Sequence, residues 1–361
     1  MAGSRYGFGL KLKTGSKTNM LSADTFRPGA RNLITDVDGI RVGNADDPAA
    51  RSGSTIILPD EQAVAAVDVR GGAPGTRDVE ALDPSCVVDG VQAIALSGGS
   101  VFGFDAAAGA ASWLSVRGRG VAFGGAVIPV VPAAILFDFP IGGEREWGLL
   151  PPYRDLGIKA CDNAGEDFPL GNVGAGYGAT AGPLKGGLGS VSAVNDEGVQ
   201  VGAIMAVNPF GSVVMPGTDA FWSWPWAMGD EFGGVQPQPG APTADTSDPF
   251  QAMRDRMTGN TTIGVVATNV ALNKAQAKRV AIMAQDGIAR AIRPVHTPVD
   301  GDTIFVLSTG QRKIAEPEMA TVGQLGMMAA DCVARAIARG VFAAESLGDF
   351  PAYKKQHNGR N

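Results

Sequence analysis

Two short stretches of the chain bring together residue types that can do covalent chemistry. Asp300-Gly301-Asp302 places two carboxylates at i and i+2 on a glycine turn, directly ahead of the β-branched run Thr303–Leu307. Asn260-Thr261 stands at the abrupt start of another such run. A threonine hydroxyl is a weak nucleophile without a base, and this chain has only two histidines, His296 and His357, to supply one. If the peptide bond before Thr261 is cut, the new α-amino group, with an ordinary pKa of about 7.7–8.0, becomes a base on the nucleophile's own residue. Cleavage would then create its own catalyst. The plainer reading of the same residues is an Asx turn with solvated carboxylates and an ordinary turn ahead of a strand. Residue types alone leave both open.

Other chemistries are less well served. A zinc site needs at least three protein ligands, and there is no Cys-x-x-Cys or His-x-His pattern to provide them, so neither a metal nor a cofactor is expected. Any Ser-His-Asp triad would have to use His296, because His357 lies in a polar C-terminal stretch. The run Gly174-Ala-Gly-Tyr-Gly-Ala is not G-x-G-x-x-G with a helix behind it. Leu96-Ser-Gly-Gly-Ser100 reads as a strand-to-helix turn whose backbone amides either cradle an anion or simply allow close helix packing.

The elements that must position these residues follow from composition and periodicity. The chain has 361 residues, 45% hydrophobic and 18% charged, enough to bury a large core and too apolar to be disordered. With 30 basic and 36 acidic residues the net charge is −6, which gives no nucleic-acid footprint. Residues 1–31 are the exception, with six Lys and Arg against Asp24 alone, and read as a basic, mobile tail. Cys86, Cys161 and Cys332 are widely spaced and odd in number, which suits core thiols in a reducing, cytoplasmic setting. No apolar signal segment is apparent near the N-terminus, and the uncharged stretch Val121–Phe137 is shorter than the ~20 residues of a membrane span.

Central strands are expected at Ser54–Leu58, Ala63–Val69, Val127–Val131, Gly189–Val194, Val201–Val207, Thr262–Val266 and Thr303–Leu307. Helices are expected at Ser100–Leu114, opened by a serine N-cap, and at Asn273–Ile292, opened by an Asn273/Gln276 capping box. A third is expected near Gly323–Arg339, stopped by Gly340. The Pro-rich stretch Ser223–Phe250 reads as a linker. The fold class is therefore α/β, with mixed layers.

Six ordered motifs carry a resemblance to a known family. They are Asn32-Leu-Ile-Thr-Asp-Val-Asp-Gly-Ile-Arg-Val-Gly-Asn44, Val69-Arg-Gly-Gly-Ala-Pro-Gly-Thr-Arg77 with Leu82-Asp-Pro84, Leu96-Ser-Gly-Gly-Ser-Val-Phe-Gly-Phe-Asp105, Asn208-Pro-Phe-Gly211, Gly259-Asn-Thr-Thr-Ile263, and His296-Thr-Pro-Val-Asp-Gly-Asp-Thr303. From Asn32 to Gly340 the chain resembles the P1/DmpA family of L-aminopeptidase/D-amidase-esterases and β-aminopeptidases, and within it the nylon-oligomer (6-aminohexanoate-oligomer) hydrolase branch.

The resemblance implies a single αββα domain over residues 32–361, of N-terminal-nucleophile hydrolase type. It implies self-cleavage between Asn260 and Thr261 into chains of 260 and 101 residues. Thr261 would be the nucleophile and its amine the base, Asp300 and Asp302 would orient it, and Asn208 would hold the oxyanion. Ser97, Gly98, Gly99 and Phe137 would border the pocket. Lys185 would supply a charge, or belong instead to a separate Lys-Gly-Gly motif. The chain departs from the family pattern where the nylon hydrolase has Tyr-Asp-Phe and it has Phe137-Asp-Phe139, and where members have Ala-Gly-Lys and it has Ala181-Gly-Pro183. The implied substrate is a small amide or peptide, cleaved through an acyl-enzyme. Aminopeptidase, D-amidase or acyl-transfer variants of the same site stay open, as does a binding protein that never cleaves. Homo-oligomers, dimers or tetramers, are implied, and neither nucleic acid nor membrane is an expected partner.

Overall fold

A computed structural model describes residues 26–241 and 260–357. Most of the basic tail, and residues 242–250 of the Pro-rich stretch, lie outside the described residues. In chain order the strands are β1 (Ile40–Asp47), β2 (Ser52–Pro59), β3 (Val64–Val69), β4 (Thr76–Arg77), β5 (Ile94–Ser97), β6 (Val121–Phe123) and β7 (Ala126–Ile128). They continue with β8 (Ala133–Ile135), β9 (Thr180–Ala181), β10 (Leu184–Lys185), β11 (Gly187–Val194), β12 (Gln200–Asn208), β13 (Thr261–Val270) and β14 (Thr303–Arg312). The α-helices are α1 (Asp105–Ser115), α2 (Tyr153–Asp162), α3 (Lys274–Ala291), α4 (Glu318–Ala343) and the short α5 (Tyr353–His357).

Two five-stranded sheets, ordered β1-β2-β5-β8-β4 and β11-β12-β13-β14-β3, lie face to face. Period-2 alternation along β13 explains why every residue of it is buried: Ile263, Val265 and Ala267 meet Ile57, Ile94 and Leu96 of the other sheet, while Val266 and Val270 turn toward α3 and α4. On the far side of the first sheet, Ile56, Leu58 and Ala95 pack against Ala107, Leu114, Leu156 and Ala160 of α1 and α2. The layers therefore run helix, sheet, sheet, helix, the expected αββα sandwich. No helix among the described residues is long and apolar enough to cross a membrane.

The capping box that opens α3 is present, with the Asn273 side chain accepting from the Gln276 amide and Gln276 returning a bond to the Asn273 amide, both at 2.9 Å. Other expectations need correction. Val127–Val131 is not a central strand: β6 and β7 form an outlying hairpin over Gly124-Gly125, and the buried strand is the neighbouring β8. Ser100 does not cap a helix, for it has a φ of 53° and opens a 3-10 turn before α1. The helix α2 carried no motif and was not expected from the sequence.

Helix α4 runs through Gly340 rather than stopping there. A Cβ on Gly340 would stand 2.8 Å from the Gly189 amide nitrogen, so the residue is small because helix and β11 backbones touch. Cys161 and Cys332 are buried but Cys86 is exposed, so it is no core thiol. Part of the proline-rich stretch is packed, with Phe232 buried against Phe221, ring centroids 5.6 Å apart. Its Glu231 is held bidentately by the Nε–Nη2 edge of the fully buried Arg335 guanidinium, at 2.6 and 2.7 Å. Residues 26–31 are likewise fastened: the Arg27 backbone exchanges two bonds with Val194, at 2.8 and 2.9 Å.

Candidate active site

Strand pairing brings the chemistry-bearing residues to one end of the second sheet. On β12 Asn208 is the direct cross-strand partner of Thr261, the first residue of β13, and on the other side β13 runs parallel to β14, with Ile263 opposite Thr303. The turn leading into β14 therefore delivers Asp300, Gly301 and Asp302 beside Thr261, with Asn260 bridged to Asp300. Thr261 is 5% exposed. Its Oγ1 lies 2.5 Å from the carbonyl oxygen of Asn260 and donates to it. One backbone amide serves both atoms: Gly301 N–H donates to Asn260 O at 3.0 Å and to Thr261 Oγ1 at 3.1 Å.

The two carboxylates hold this arrangement from either side. Asp302 Oδ1 accepts the Thr262 amide at 2.8 Å, and Oδ2 accepts from the His296 amide and meets its Nδ1 at 2.8 Å. His296 is thus committed to Asp302. Asp300 accepts from the Phe210 amide at 3.1 Å and from the amide and hydroxyl of Thr297 at 3.0 and 2.5 Å. Burial, with the neighbouring charge of Asp302, raises the Asp300 carboxyl above the ordinary range.

Asn208 is oriented without ambiguity. Its Oδ1 accepts the Thr180 amide at 2.8 Å, which only an oxygen can do, and its Nδ2 donates to Phe137 O at 3.0 Å. A primary amide carries two hydrogens, so the second remains for another acceptor. Thr180 pairs with Lys185 across the β9–β10 ribbon, which puts Lys185 one step behind Asn208. The ammonium is fully buried, donating to the carbonyls of Gly186 and Gly176 at 2.9 and 3.1 Å. Burial lowers its pKa to about 7, against an opposing pull from Asp138.

A lysine that titrates near 7 when folded and near 10.5 when unfolded penalises the folded state below pH 7, and the penalty fades as pH rises through this window. Lys185→Met removes that titration. The stability difference between variant and wild type should therefore shift in the wild type's favour by about 1.4 kcal/mol per pH unit above pH 7. Urea denaturation at pH 7, 8 and 9 checks this, and a pH-independent difference would contradict it.

Ser97, Gly98 and Gly99 do not offer a cradle. Ser97 Oγ bonds Ser54 Oγ at 2.8 Å, the Gly98 amide donates to Gly53 O at 2.9 Å, and the Gly99 amide to Asp138 Oδ1 at 2.9 Å. A Cβ on Gly98 would stand 2.1 Å from Asp138 Oδ2, and one on Gly99 2.0 Å from the Tyr153 ring, so the glycines admit these side chains, not a ligand. Phe137 does border the site, through the carbonyl that accepts from Asn208. Asp138, which the Phe137-Asp-Phe139 motif carries without a role, is a fully buried carboxylate whose pKa burial raises despite bonds from Ser52 and Gly99. Its one signal was an acid between two phenylalanines. The donor role of the Gly301 amide has no trace in the sequence, since a backbone donor has no residue signature.

The model of peptidase family S58 matches residues 32–353. An uncharacterized aminopeptidase of Mycobacterium tuberculosis is 44% identical over 350 residues, covering 91% of this chain and 98% of the relative. The 6-aminohexanoate-oligomer endohydrolase of a Kocuria species is 31% identical over 333 residues, covering 89% and 85%. Among solved structures, the L-aminopeptidase D-Ala-esterase/amidase of Ochrobactrum anthropi, described as a prototype for the serine aminopeptidases and a variant of the Ntn hydrolase fold, superposes with a TM-score of 0.64. It is 21% identical, over 92% of this chain and 96% of that one.

Proposed function

The chain belongs to peptidase family S58, and from that premise we propose that it is an amide hydrolase which cuts itself between Asn260 and Thr261 and then uses Thr261 as its nucleophile. The observation that carries the proposal is the Gly301 amide, which donates both to the carbonyl oxygen of Asn260 and to the hydroxyl of Thr261. In the first reaction Thr261 Oγ1 attacks the Asn260 carbonyl carbon and charge grows on the carbonyl oxygen, where Gly301 N–H is already aimed. The C–N bond breaks, the hydroxyl proton passes to the departing nitrogen, and water hydrolyses the resulting ester. A free Thr261 amine and an Asn260 carboxylate remain.

A second feature favours departure of Asn260. Its side-chain Oδ1 is buried without a hydrogen-bond partner among the described residues, a situation that costs about 1–3 kcal/mol and ends when the cut end withdraws. In the mature site the α-amine takes the Thr261 proton as Oγ1 attacks a substrate carbonyl, and returns it to the leaving amine. The spare hydrogen of Asn208 Nδ2 meets the oxyanion. Asp302 and Asp300 act as positioning residues, the first by pinning Thr262 and His296, the second by fixing the Phe210 and Thr297 backbones. Lys185 supports Asn208 from behind, through its pairing with Thr180.

The substrates on this reading are short amino-terminated oligomers, 6-aminohexanoate oligomers included, a class that the name of the Kocuria relative supports. The working form is a cytoplasmic dimer or tetramer of processed units. A panel of 6-aminohexanoate oligomers, β-peptides and D-alanine amides tests the substrate class, scored by amine release. Hydrolysis of the oligomers is expected, and an enzyme active only on D-alanine amides would contradict this class.

A further inference from the structure

The Asp302 carboxylate is 2% exposed, and its two oxygens serve different neighbours. Oδ1 accepts the amide of Thr262, the peptide group that follows the nucleophile, at 2.8 Å. Oδ2 accepts the His296 amide at 3.2 Å and meets His296 Nδ1 at 2.8 Å. Each oxygen already accepts a backbone amide, so the carboxylate is the acceptor and Nδ1 is the atom that carries the hydrogen. Thr261 Oγ1 is bonded to the Asn260 carbonyl oxygen and the Gly301 amide, so His296 reaches the nucleophile through Asp302 and not directly.

The backbone of this turn is fastened by other means. The segment Arg70-Gly-Gly-Ala73 runs along it, and the amides of Arg70, Gly72 and Ala73 donate to the carbonyls of Asp302, Thr297 and Asp300 at 2.9, 3.1 and 2.8 Å. The approach is close enough that a Cβ on Gly71 would stand 2.2 Å from Asp300 O. These bonds set the path of the turn, whereas the rotation of the Asp302 carboxylate is set by Thr262 and His296. His296 itself has a φ of 52°, in the left-handed region that asparagine, aspartate and histidine enter more readily than other residues with a Cβ. Two demands therefore meet at this position, a left-handed backbone and an N–H where Nδ1 stands.

We propose that His296 is a positioning residue for the nucleophile: its Nδ1–H locks Asp302, and Asp302 Oδ1 locks the peptide between Thr261 and Thr262. This rests on the amide-hydrolase reading above and adds a residue to it. Before the cut, Thr261 is also tied from the Asn260 side, where the Asn260 amide donates to Val299 O at 3.2 Å and its carbonyl accepts from Gly301 at 3.0 Å. The cut removes that tie, and the new chain end then depends on Thr262 for its order. Losing the His296 hydrogen bond weighs more on turnover than on self-cleavage.

A series of three variants separates backbone from side chain. Glycine keeps the left-handed φ and lacks the N–H, so His296→Gly should lower kcat about 10- to 100-fold, the worth of one hydrogen bond to a charge, with a far smaller change in KM. Self-cleavage should slow by a smaller factor. Asparagine accepts the same φ and places an amide nitrogen where Nδ1 stands, whereas glutamine carries its amide out to the Nε2 position. His296→Asn should therefore recover most of the lost kcat and His296→Gln should not. A wild-type kcat in His296→Gly, or His296→Asn no better than His296→Gln, overturns the proposal. Hydrogen exchange of the Thr262 amide in the Thr261→Ala chain reads the same linkage without turnover. It should be faster with His296→Gly added and return toward the parent rate with His296→Asn. An unchanged rate in the glycine variant overturns the proposal whatever the enzyme hydrolyses, while the expected exchange pattern in a protein that hydrolyses no amide upholds the linkage and removes the hydrolase reading alone.

Discussion

Thr261→Ala should leave the protein as one uncut chain of 361 residues and lower amide hydrolysis by about 10⁴-fold or more. Both effects have one cause. The alanine lacks the oxygen that lies 2.5 Å from the Asn260 carbonyl, so no ester forms at that bond, no amine is freed, and no nucleophile is left for a substrate. The fold should survive, because the methyl that remains fits a strand whose other residues pack unchanged on both faces. Thr261→Ser should keep cutting, more slowly or faster, since it retains the hydroxyl. Denaturing electrophoresis after long incubation, with a matched activity assay, checks the pair. Full amidase activity in Thr261→Ala would contradict the assignment of the nucleophile.

Asn208→Ala should lower kcat by about 10²- to 10³-fold with a much smaller change in KM, the usual result of removing one oxyanion donor. The variant also strips Oδ1 from the Thr180 amide and Nδ2 from Phe137 O, and such orphaned groups cost about 1–3 kcal/mol each in stability. Asn208→Asp separates the two consequences. It keeps an acceptor for Thr180 but presents no N–H, and places a negative charge where an oxyanion must form, so its kcat should fall at least as far. Steady-state kinetics on the two variants, corrected for the fraction folded, makes the comparison. A kcat near wild type in Asn208→Asp would remove Asn208 from the oxyanion site.

Much of this site was legible because side chains at element boundaries announce themselves. Thr261 opens a β-branched run, and Asp300 and Asp302 flank a glycine just ahead of another, so adjacent strands bring them together as soon as the register is known. Asn273 and Gln276 likewise mark the start of α3, since a capping box is a local arrangement. The errors fall where a residue's reason is not local. Gly340 resembles a helix stop, yet it is required by the β11 backbone, 151 residues away at Gly189. Gly98 and Gly99 resemble an anion loop, yet they make room for Asp138 and Tyr153. The β-branched run from Val127 to Val131 carries strand propensity, but the glycines before it turn β6 and β7 into a hairpin outside the main sheets.

Whether the chain makes its own N-terminal threonine is read from the N-terminal sequence of the smaller fragment of purified, active enzyme. The expected result is a 101-residue chain whose first residues are Thr-Thr-Ile-Gly-Val, together with a larger chain ending at Asn260. A fully active enzyme that stays a single chain, or one cut at any other bond, would contradict it.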